Sequence, residues 1–407
     1  MNIDFSTLQG LTIPEGVVTK ITDASGRVLW ALQTNEPIVL EVAKITSDTY
    51  AGETTYTGEE FILLDIYPKS GGKVTVTYGG LTKTITDDGT SETPNAQQVF
   101  FGTFNGVTDE VETPDSGKLT IRGDCYAFGC STFSYSSKSN KDCLCITNVI
   151  EFGEIEMIPD NAFGDSTYTP AFNATDIEIP EGVVSIGNSA FANCTKLASV
   201  ILPNSLTSIA TYAFYECPLT AITIPKNVTS IHNFSFHSCS KLKIDVDEDN
   251  QYYSSDEDGA LFNKNKTTLI FHQSASYSYE IPESVTEIGA RAFYSSGFGV
   301  EIGDQYKVIP NKVASIGDSA FYNCDGLFNV IIPESVTSIG ADAFRSCAYL
   351  RKVIILATTP PTLGTKAFEP DSLGDVPTIT VPAGCGDAYK AATNWSTYAD
   401  HILEANE

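Results

Sequence analysis

Ile179-Pro180-Glu181-Gly182-Val183-Val184-Ser185-Ile186-Gly187-Asn188-Ser189-Ala190-Phe191-Ala192-Asn193-Cys194 is a sentence this chain repeats. Close copies run from Leu202-Pro203 to Cys217, Ile224-Pro225 to Cys239, Ile309-Pro310 to Cys324 and Ile332-Pro333 to Cys347. Looser copies end at Phe163, Phe293 and Phe368. The repeated phenylalanine stands at 163, 191, 214, 236, 293, 321, 344 and 368, with gaps of 28, 23, 22, 57, 28, 23 and 24. A recurrence near 23 residues marks a solenoid of stacked coils rather than a globular enzyme domain.

Each unit opens with an extended stretch such as Leu219-Thr220-Ala221-Ile222-Thr223-Ile224-Pro225. Alternation puts Ile222 and Ile224 on one face and Thr223 on the other. The proline cannot donate to a sheet ladder, so it ends the strand and starts a bend. Val228-Thr229-Ser230-Ile231 then gives a second short extended piece. The glycine after that isoleucine is replaced by Ala210 in one copy and His232 in another, which points to a tight position rather than a strictly left-handed one. Ala-Phe-x-x-Cys closes the coil with a turn whose phenylalanine plugs it. One such coil cannot bury its own apolar side, so coils stack, pair strand to strand in parallel and share a column of Ile, Val, Phe and Cys.

These residues resemble the BspA-type leucine-rich repeats of bacterial surface proteins over roughly residues 149–407. Asp249-Asn250-Gln251-Tyr252-Tyr253 through Asn263 is similar to that family's long segment between repeats, and Val381-Pro382-Ala383-Gly384-Cys385 through Tyr389, with Trp395 and Tyr398, to its C-terminal cap. The resemblance implies adhesion or protein binding and brings no catalytic residues with it. The expected fold is mainly β: N-terminal β elements and an immunoglobulin-like β-sandwich, then a leucine-rich-repeat solenoid with parallel strands and a short C-terminal cap helix.

Composition narrows the partners. The 407 residues allow two or three domains, and a hydrophobic share of 42% with 18% charged residues suits a folded protein. Lys+Arg number 24 against 51 Asp+Glu, a net charge of −27. A chain this acidic, without a basic stripe, repels phosphate backbones, so nucleic acid is excluded as a partner. No apolar run reaches membrane-spanning length, so membrane insertion is not expected. Met1 through Leu8 shows neither the basic region nor the apolar core of a signal peptide.

Four regions follow. Residues 1–34 read as a β attachment segment, with extended runs at 16–22 and 27–30 around the turn Asp23-Ala24-Ser25-Gly26; this segment resembles short pieces of tail-associated proteins from phages of gut bacteria. Residues 35–122 read as the sandwich, anchored by the hairpin Lys73–Tyr78, Gly79-Gly80, Leu81–Thr86. Residues 123–148 read as a Cys-containing N-terminal cap, and 149–407 as the solenoid.

Candidate chemistry is sparse. Cys125, Cys130, Cys143 and Cys145 allow a zinc site, disulfides or buried thiols; a four-ligand zinc site fits their first spacing but not their second. Asp245, Asp247, Asp249 and Asp256 partly mimic a calcium loop, yet Asn250 stands where the loop needs glycine and Asp256 where it needs a bidentate glutamate. The four histidines, His232, His237, His272 and His401, pair with no Ser or Cys elbow, and the common hydrolase, metalloprotease and phosphate-binding motifs are missing from the sequence. No cofactor is expected. Cys194, Cys217, Cys239, Cys324 and Cys347 each follow the repeat Phe by three residues and read as a column of buried thiols.

A binding face falls on the outward side of the first strands, at Ile201, Thr223, Phe328, Asn329, Ile331, Arg351, Lys352 and Ile354; the competing reading has neighbouring coils covering these side chains. Tyr252, Tyr253, Tyr277 and Tyr279 enrich the inserted segment in a residue favoured at recognition surfaces. The expectation is a non-catalytic recognition protein that binds a bacterial or host surface protein or glycan. Two extracellular settings compete. On a phage tail, the N-terminal segment would attach to particle proteins; on a bacterial surface, the chain would be a BspA-like adhesin. The lack of a leader sequence tips the expectation to the phage tail.

Overall fold

A computed structural model describes the solenoid over residues 155–164, 174–273, 279–299, 306–370 and 374–405. Between residues 20 and 151 it describes strand backbones, with side chains at 73–77 and 83–85. In that N-terminal part Lys20–Thr22 pairs with Val28–Ala31 as an antiparallel hairpin. Five further strands form one antiparallel sheet in the order Leu144–Glu151, Ile38–Lys44, Ser116–Gly123, Lys73–Tyr78, Leu81–Thr86. Phe61–Pro68 pairs antiparallel with Cys125–Cys130 on one side and Gln97–Phe104 on the other. The expected Gly-Gly hairpin is present, with Tyr78 opposite Leu81 and Val74, Val76 and Ile85 buried.

Two details differ from the sequence reading. Strands Cys125–Cys130 and Leu144–Glu151 pair with Phe61–Pro68 and Ile38–Lys44, so sheet pairing continues past residue 122 to Glu151. Immunoglobulin domains keep their first two strands in one sheet; here Ile38–Lys44 and Phe61–Pro68 lie in different sheets.

The solenoid coils have three hydrogen-bonded sides. On the first, Asp176–Glu178 pairs parallel with Ser199–Ile201, and Ala221–Ile224 with Lys243–Val246. The column resumes as Lys307–Val308, Asn329–Ile332, Lys352–Ile355, Thr378–Val381 and Ile402–Glu404. On the second, the Ser-Ile pairs Ser185–Ile186, Ser208–Ile209 and Ser230–Ile231 stack in parallel, as do Ser315–Ile316 and Ser338–Ile339 further on. The third side is the Ala-Phe turn. Taking the repeat Phe as position zero, the amides at −2, 0 and +2 donate to the next coil: Ser189 N to Thr211 O at 2.9 Å, Phe191 N to Ala213 O at 2.8 Å and Asn193 N to Tyr215 O at 2.7 Å. The same three bonds recur from Ser319, Phe321 and Asn323. Pointing those amides at the next coil requires left-handed backbone at −2 and +2, found at Ser189 (φ 52°) and Asn193 (φ 59°) and again at Tyr212, Glu216, Ser319 and Asn323.

This turn sends the repeat Phe inward as a spine. Ring centroids of Phe163, Phe191, Phe214 and Phe236 follow one another at 5.2, 5.3 and 5.7 Å, and those of Phe293, Phe321, Phe344 and Phe368 at 5.1, 5.0 and 5.4 Å, all nearly parallel. Each thiol three residues on donates to the carbonyl of the Phe one coil back, at 3.0 Å for Cys217, Cys239, Cys324 and Cys347 and 3.4 Å for Cys194. The repeat glycine is a clearance position: a Cβ on Gly364 would lie 2.1 Å from Ala341 N, and its φ is not positive. The coils carrying Ala210 and His232 accommodate a side chain there.

The segment between Phe236 and Phe293 divides the solenoid into two cores. Tyr253–Ser255, Leu261–Asn263 and Thr268–Phe271 form an antiparallel meander whose last strand joins the second side against Glu287–Ile288. The broken column before it is closed by side chains. Tyr253 Oη accepts from Ile231 N at 2.9 Å, standing in for a carbonyl of the missing strand. Asn250, wholly buried, donates to Pro225 O and Val228 O and accepts from the amides of Tyr252 and Tyr253. His272 occupies a spine position: its amide donates to Ala292 O at 2.7 Å, and its ring sits 5.8 Å from Phe293 and 3.9 Å from Tyr279. Its side chain is 2% exposed and both ring nitrogens are without partners.

The C-terminal cap closes the last coil on every side. Ile402–Glu404 extends the first column, Asn394 Nδ2 donates to Leu363 O on the second, and Phe368 N, on the third, donates to Tyr398 Oη at 3.1 Å. Trp395, fully buried, packs its ring 6.0 Å from Phe368 and donates to Pro361 O.

Two predictions follow from this core. Iodoacetamide applied in native buffer is expected to leave Cys194, Cys217, Cys239, Cys324 and Cys347 unmodified and to label them in denaturant, read by peptide mass spectrometry; burial raises the thiol pKa of Cys217, Cys239 and Cys347 and removes access. Burial also lowers the His272 pKa from 6.5 to about 4. The unfolded chain therefore binds a proton that the folded chain refuses between those values, so stability falls as pH drops from 6.5 towards 4, by up to roughly 3 kcal/mol. His272→Phe is expected to shrink the difference in melting temperature between pH 7 and pH 4.5; an unchanged difference would reject this account.

Candidate recognition surfaces

The sequence-predicted face divides between the two halves. In the first, Ile201 is 57% exposed and pairs with Glu178, while the exposed Thr223 pairs with Asp245, so no apolar row forms. In the second, the parallel register lines up Val308, Ile331, Ile354, Thr380 and Leu403 in one outward row across five coils. Val308 is 50% and Leu403 56% exposed, with Ile331 and Ile354 half-buried between them. Arg351 and Lys352 are exposed beside this row.

Asn329 and Phe328 depart from the expectation. Asn329 is only 4% exposed, covered in its own sheet. Phe328 is half-buried, with its ring stacked on Tyr349 at 5.5 Å. Lys307, which the sequence reading passed over, fills an inward position opposite Val330; its ammonium bonds Glu280 at 2.9 Å and lies 5.0 Å from the Phe298 ring.

The calcium candidate is not assembled. Asp256 accepts from the amides of Asp258 and Ala260 and from Tyr279 Oη at 2.8 Å, which makes it the brace of the meander. Asp247 accepts from Asp249 N, and Asp245 from Val246 N and Ser255 Oγ. Among the described residues no three His, Cys, Asp or Glu side chains converge on a metal-sized site. The carboxylates of Asp245, Asp247 and Asp256 accept hydrogen bonds from their own chain. The side chains of Cys125, Cys130 and Cys145, and Cys143 and Tyr277 altogether, lie outside the described residues.

Sequence reasoning missed the most concentrated surface feature. In several repeats positions −2 and +1 of the turn carry large side chains: Tyr212 and Tyr215, Phe234 and His237, and Arg291 and Tyr294, followed by Tyr322 and Arg345 at +1 of the next two. These half-buried side chains form a ridge. Tyr215 stacks on His237 at 5.5 Å, His237 meets Tyr294 edge-on at 4.4 Å, and Tyr294 stacks on Tyr322 at 4.7 Å. The Arg291 guanidinium lies 3.8 Å over the Phe234 ring and 5.4 Å from that of Tyr294. Burial, then the nearby Arg291 charge, lowers the His237 pKa to about 4, so it is neutral at pH 7. A hydrogen bond with Glu216 and burial push the Tyr215 hydroxyl up to about 12. Aligning the repeats and reading the two variable columns flanking Ala-Phe would have exposed this ridge.

The family model for the BspA type leucine-rich repeat region matches six copies over residues 156–297 and 304–382. The chain belongs to the BspA-type leucine-rich repeat family. Among curated proteins no relative matches it significantly. Similar solved structures include a leucine-rich cell surface protein from Faecalibacterium prausnitzii, 23% identical, with a TM-score of 0.45 over 59% of this chain and 73% of that one. A leucine-rich repeat protein from Eubacterium ventriosum is 24% identical, with a TM-score of 0.45 over 64% and 75%. The pneumococcal vaccine antigen PcpA is 23% identical, with a TM-score of 0.44 over 62% and 70%.

Because its acidic turns are satisfied internally, the melting temperature of this BspA-type chain is expected to be the same in millimolar calcium and in EDTA. A calcium-dependent rise lost in Asp247→Asn would restore the metal reading.

Proposed function

We propose that this chain is a non-catalytic recognition protein of a bacterial cell surface, which holds a surface protein or glycan on the outward first-strand face of its C-terminal half. The observation that carries the reading is the row Val308, Ile331, Ile354, Thr380 and Leu403, kept in register by the parallel ladder, exposed at both ends and half-buried between them. A largely apolar outward row on a rigid sheet, bordered by the cations of Arg351 and Lys352, suits a partner that buries the row and meets those charges at its rim. Repeat stacking fixes the face in advance, so little ordering cost attends binding.

Of the two settings weighed from the sequence, membership of the BspA-type family supports the cell surface. The phage-tail setting drew secondary support from residues 1–34, of which only the hairpin strands Lys20–Thr22 and Val28–Ala31 are described, and the family match does not extend to them. Among the described residues no helix is long and apolar enough to cross a membrane.

The test is retention of the fluorescently labelled full chain on intact gut bacteria and on immobilised host matrix proteins and mucin. The double variant Ile331→Glu/Ile354→Glu is expected to lose most retention while keeping its melting temperature within a few degrees, because both side chains face outward. Undiminished retention would remove this face as the binding surface.

A further inference from the structure

We infer that the ridge on the turn side is a second recognition site, one that takes an acidic side chain presented by a partner protein. It stands independently of the sheet-face reading, since it occupies another side of the coil. Two of the chain's five arginines lie in this ridge, and both have donors to spare. Arg291 lies 3.8 Å over the Phe234 ring, and among the described residues no carboxylate pairs with it. Arg345 bonds Asp342 at 3.1 Å through one terminal nitrogen, and its side chain is 34% exposed. A guanidinium fixed by stacking, with its fork of N–H groups open, is preorganised for bidentate binding of a carboxylate. The two arginines sit on coils about 10 Å apart at the strand spacing, with Tyr294 and Tyr322 between them.

The ring geometry favours a protein over a sugar. Tyr294 and Tyr322 stack face to face, Tyr215 lies face to face with His237, and Arg291 covers Phe234. The faces a flat sugar ring would use are therefore largely occupied by one another. The ridge side chains are half-buried, and the tyrosine hydroxyls and guanidinium N–H groups they carry are of the kind that meet peptide amides and carboxylates. Tyr and Arg are also the residues that dominate binding energy at protein interfaces. A net charge of −27 repels an acidic partner as a whole, so the occupant is a neutral or basic surface that brings its carboxylate to this cluster of cations and aromatics.

The test probes two arrays with fluorescent full-length protein: random-sequence dodecapeptides, and neutral and uronate-bearing glycans. The expected result is selection of peptides containing Asp or Glu within an otherwise neutral or basic sequence. Arg345→Gln, remote from the junction between the two cores, and Arg291→Gln should each lower that retention about tenfold, and Ile331→Glu/Ile354→Glu should leave it unchanged. Selection without acidic enrichment, binding to glycans alone, indifference to Arg345→Gln, or equal loss in the Ile331/Ile354 variant would each overturn the assignment. Because failure at the ridge leaves the Ile331/Ile354 effect on cell retention untouched, the two readings fall separately.

Discussion

A coil of this solenoid satisfies part of its turns internally and the rest of its backbone through its neighbours. Its two strands and its turn all carry amides and carbonyls that point along the stack, and an unpaired buried amide costs about 1–3 kcal/mol. Everything else in the solenoid answers to that constraint. The left-handed residues on either side of each repeat Phe accept local strain because they aim three amides at the next coil. The repeat glycines are small because the coils must approach to hydrogen-bonding distance, 2.1 Å from a notional Cβ in the case of Gly364. Where the stack ends or breaks, side chains take over the role of the absent backbone. Tyr253 Oη serves Ile231 N at the internal break, and Tyr398 Oη serves Phe368 N at the C-terminal end. Two tyrosines far apart in sequence thus solve one problem in one way.

The same constraint divides the repeat into fixed and free columns. Inward positions must be apolar and sized to their neighbours, and the spine spacing of 5.0–5.7 Å shows how little latitude the Phe column has. Outward positions of the first strand and the −2 and +1 positions of the turn carry no such burden. Specific chemistry therefore collects there, as an apolar row on one side and an aromatic and cationic ridge on another. Lys307 shows what an exception requires. It fills an inward position, but its ammonium lies over the Phe298 ring and reaches the exposed Glu280, which spares it an unpaired buried charge.

Much of this was legible in the sequence because it repeats. Eight copies of one Phe, spaced 22 to 28 residues apart except for the gap of 57 across the insertion, marked the coil, its strands and its thiol column, and Ala210 and His232 at the glycine position already spoke for clearance over left-handed geometry. What stayed hidden depended on register. Whether Ile331 and Ile354 join Val308 and Leu403 in one row is fixed by strand pairing, which residue spacing does not give across the inserted segment and the cap. Asn329 was expected outside because of its place in the alternation, yet it is only 4% exposed. The acidic run from Asp245 to Asp256 resembled a metal loop because turns and metal sites use the same carboxylates; only the donors each one meets separate the two.

The ridge has one further property that bears on its evolution within the fold. The hydrogen-bonded columns of both strand sides break between Lys243–Val246 and Lys307–Val308 and after Ser230–Ile231, and the apolar core divides there too. Yet Arg291 lies over Phe234, and Tyr294 meets His237 at 4.4 Å, so the ridge runs from one half to the other. A cation over an aromatic ring at an exposed site contributes about 0.5–1 kcal/mol, enough to steady a junction whose spine has a histidine with both nitrogens unpartnered. An aromatic patch first useful as a clamp across an insertion needs only unpaired guanidinium donors to become a binding site. Arg345, which lies beyond the junction and contributes nothing to the clamp, is the residue whose presence the clamp alone does not explain.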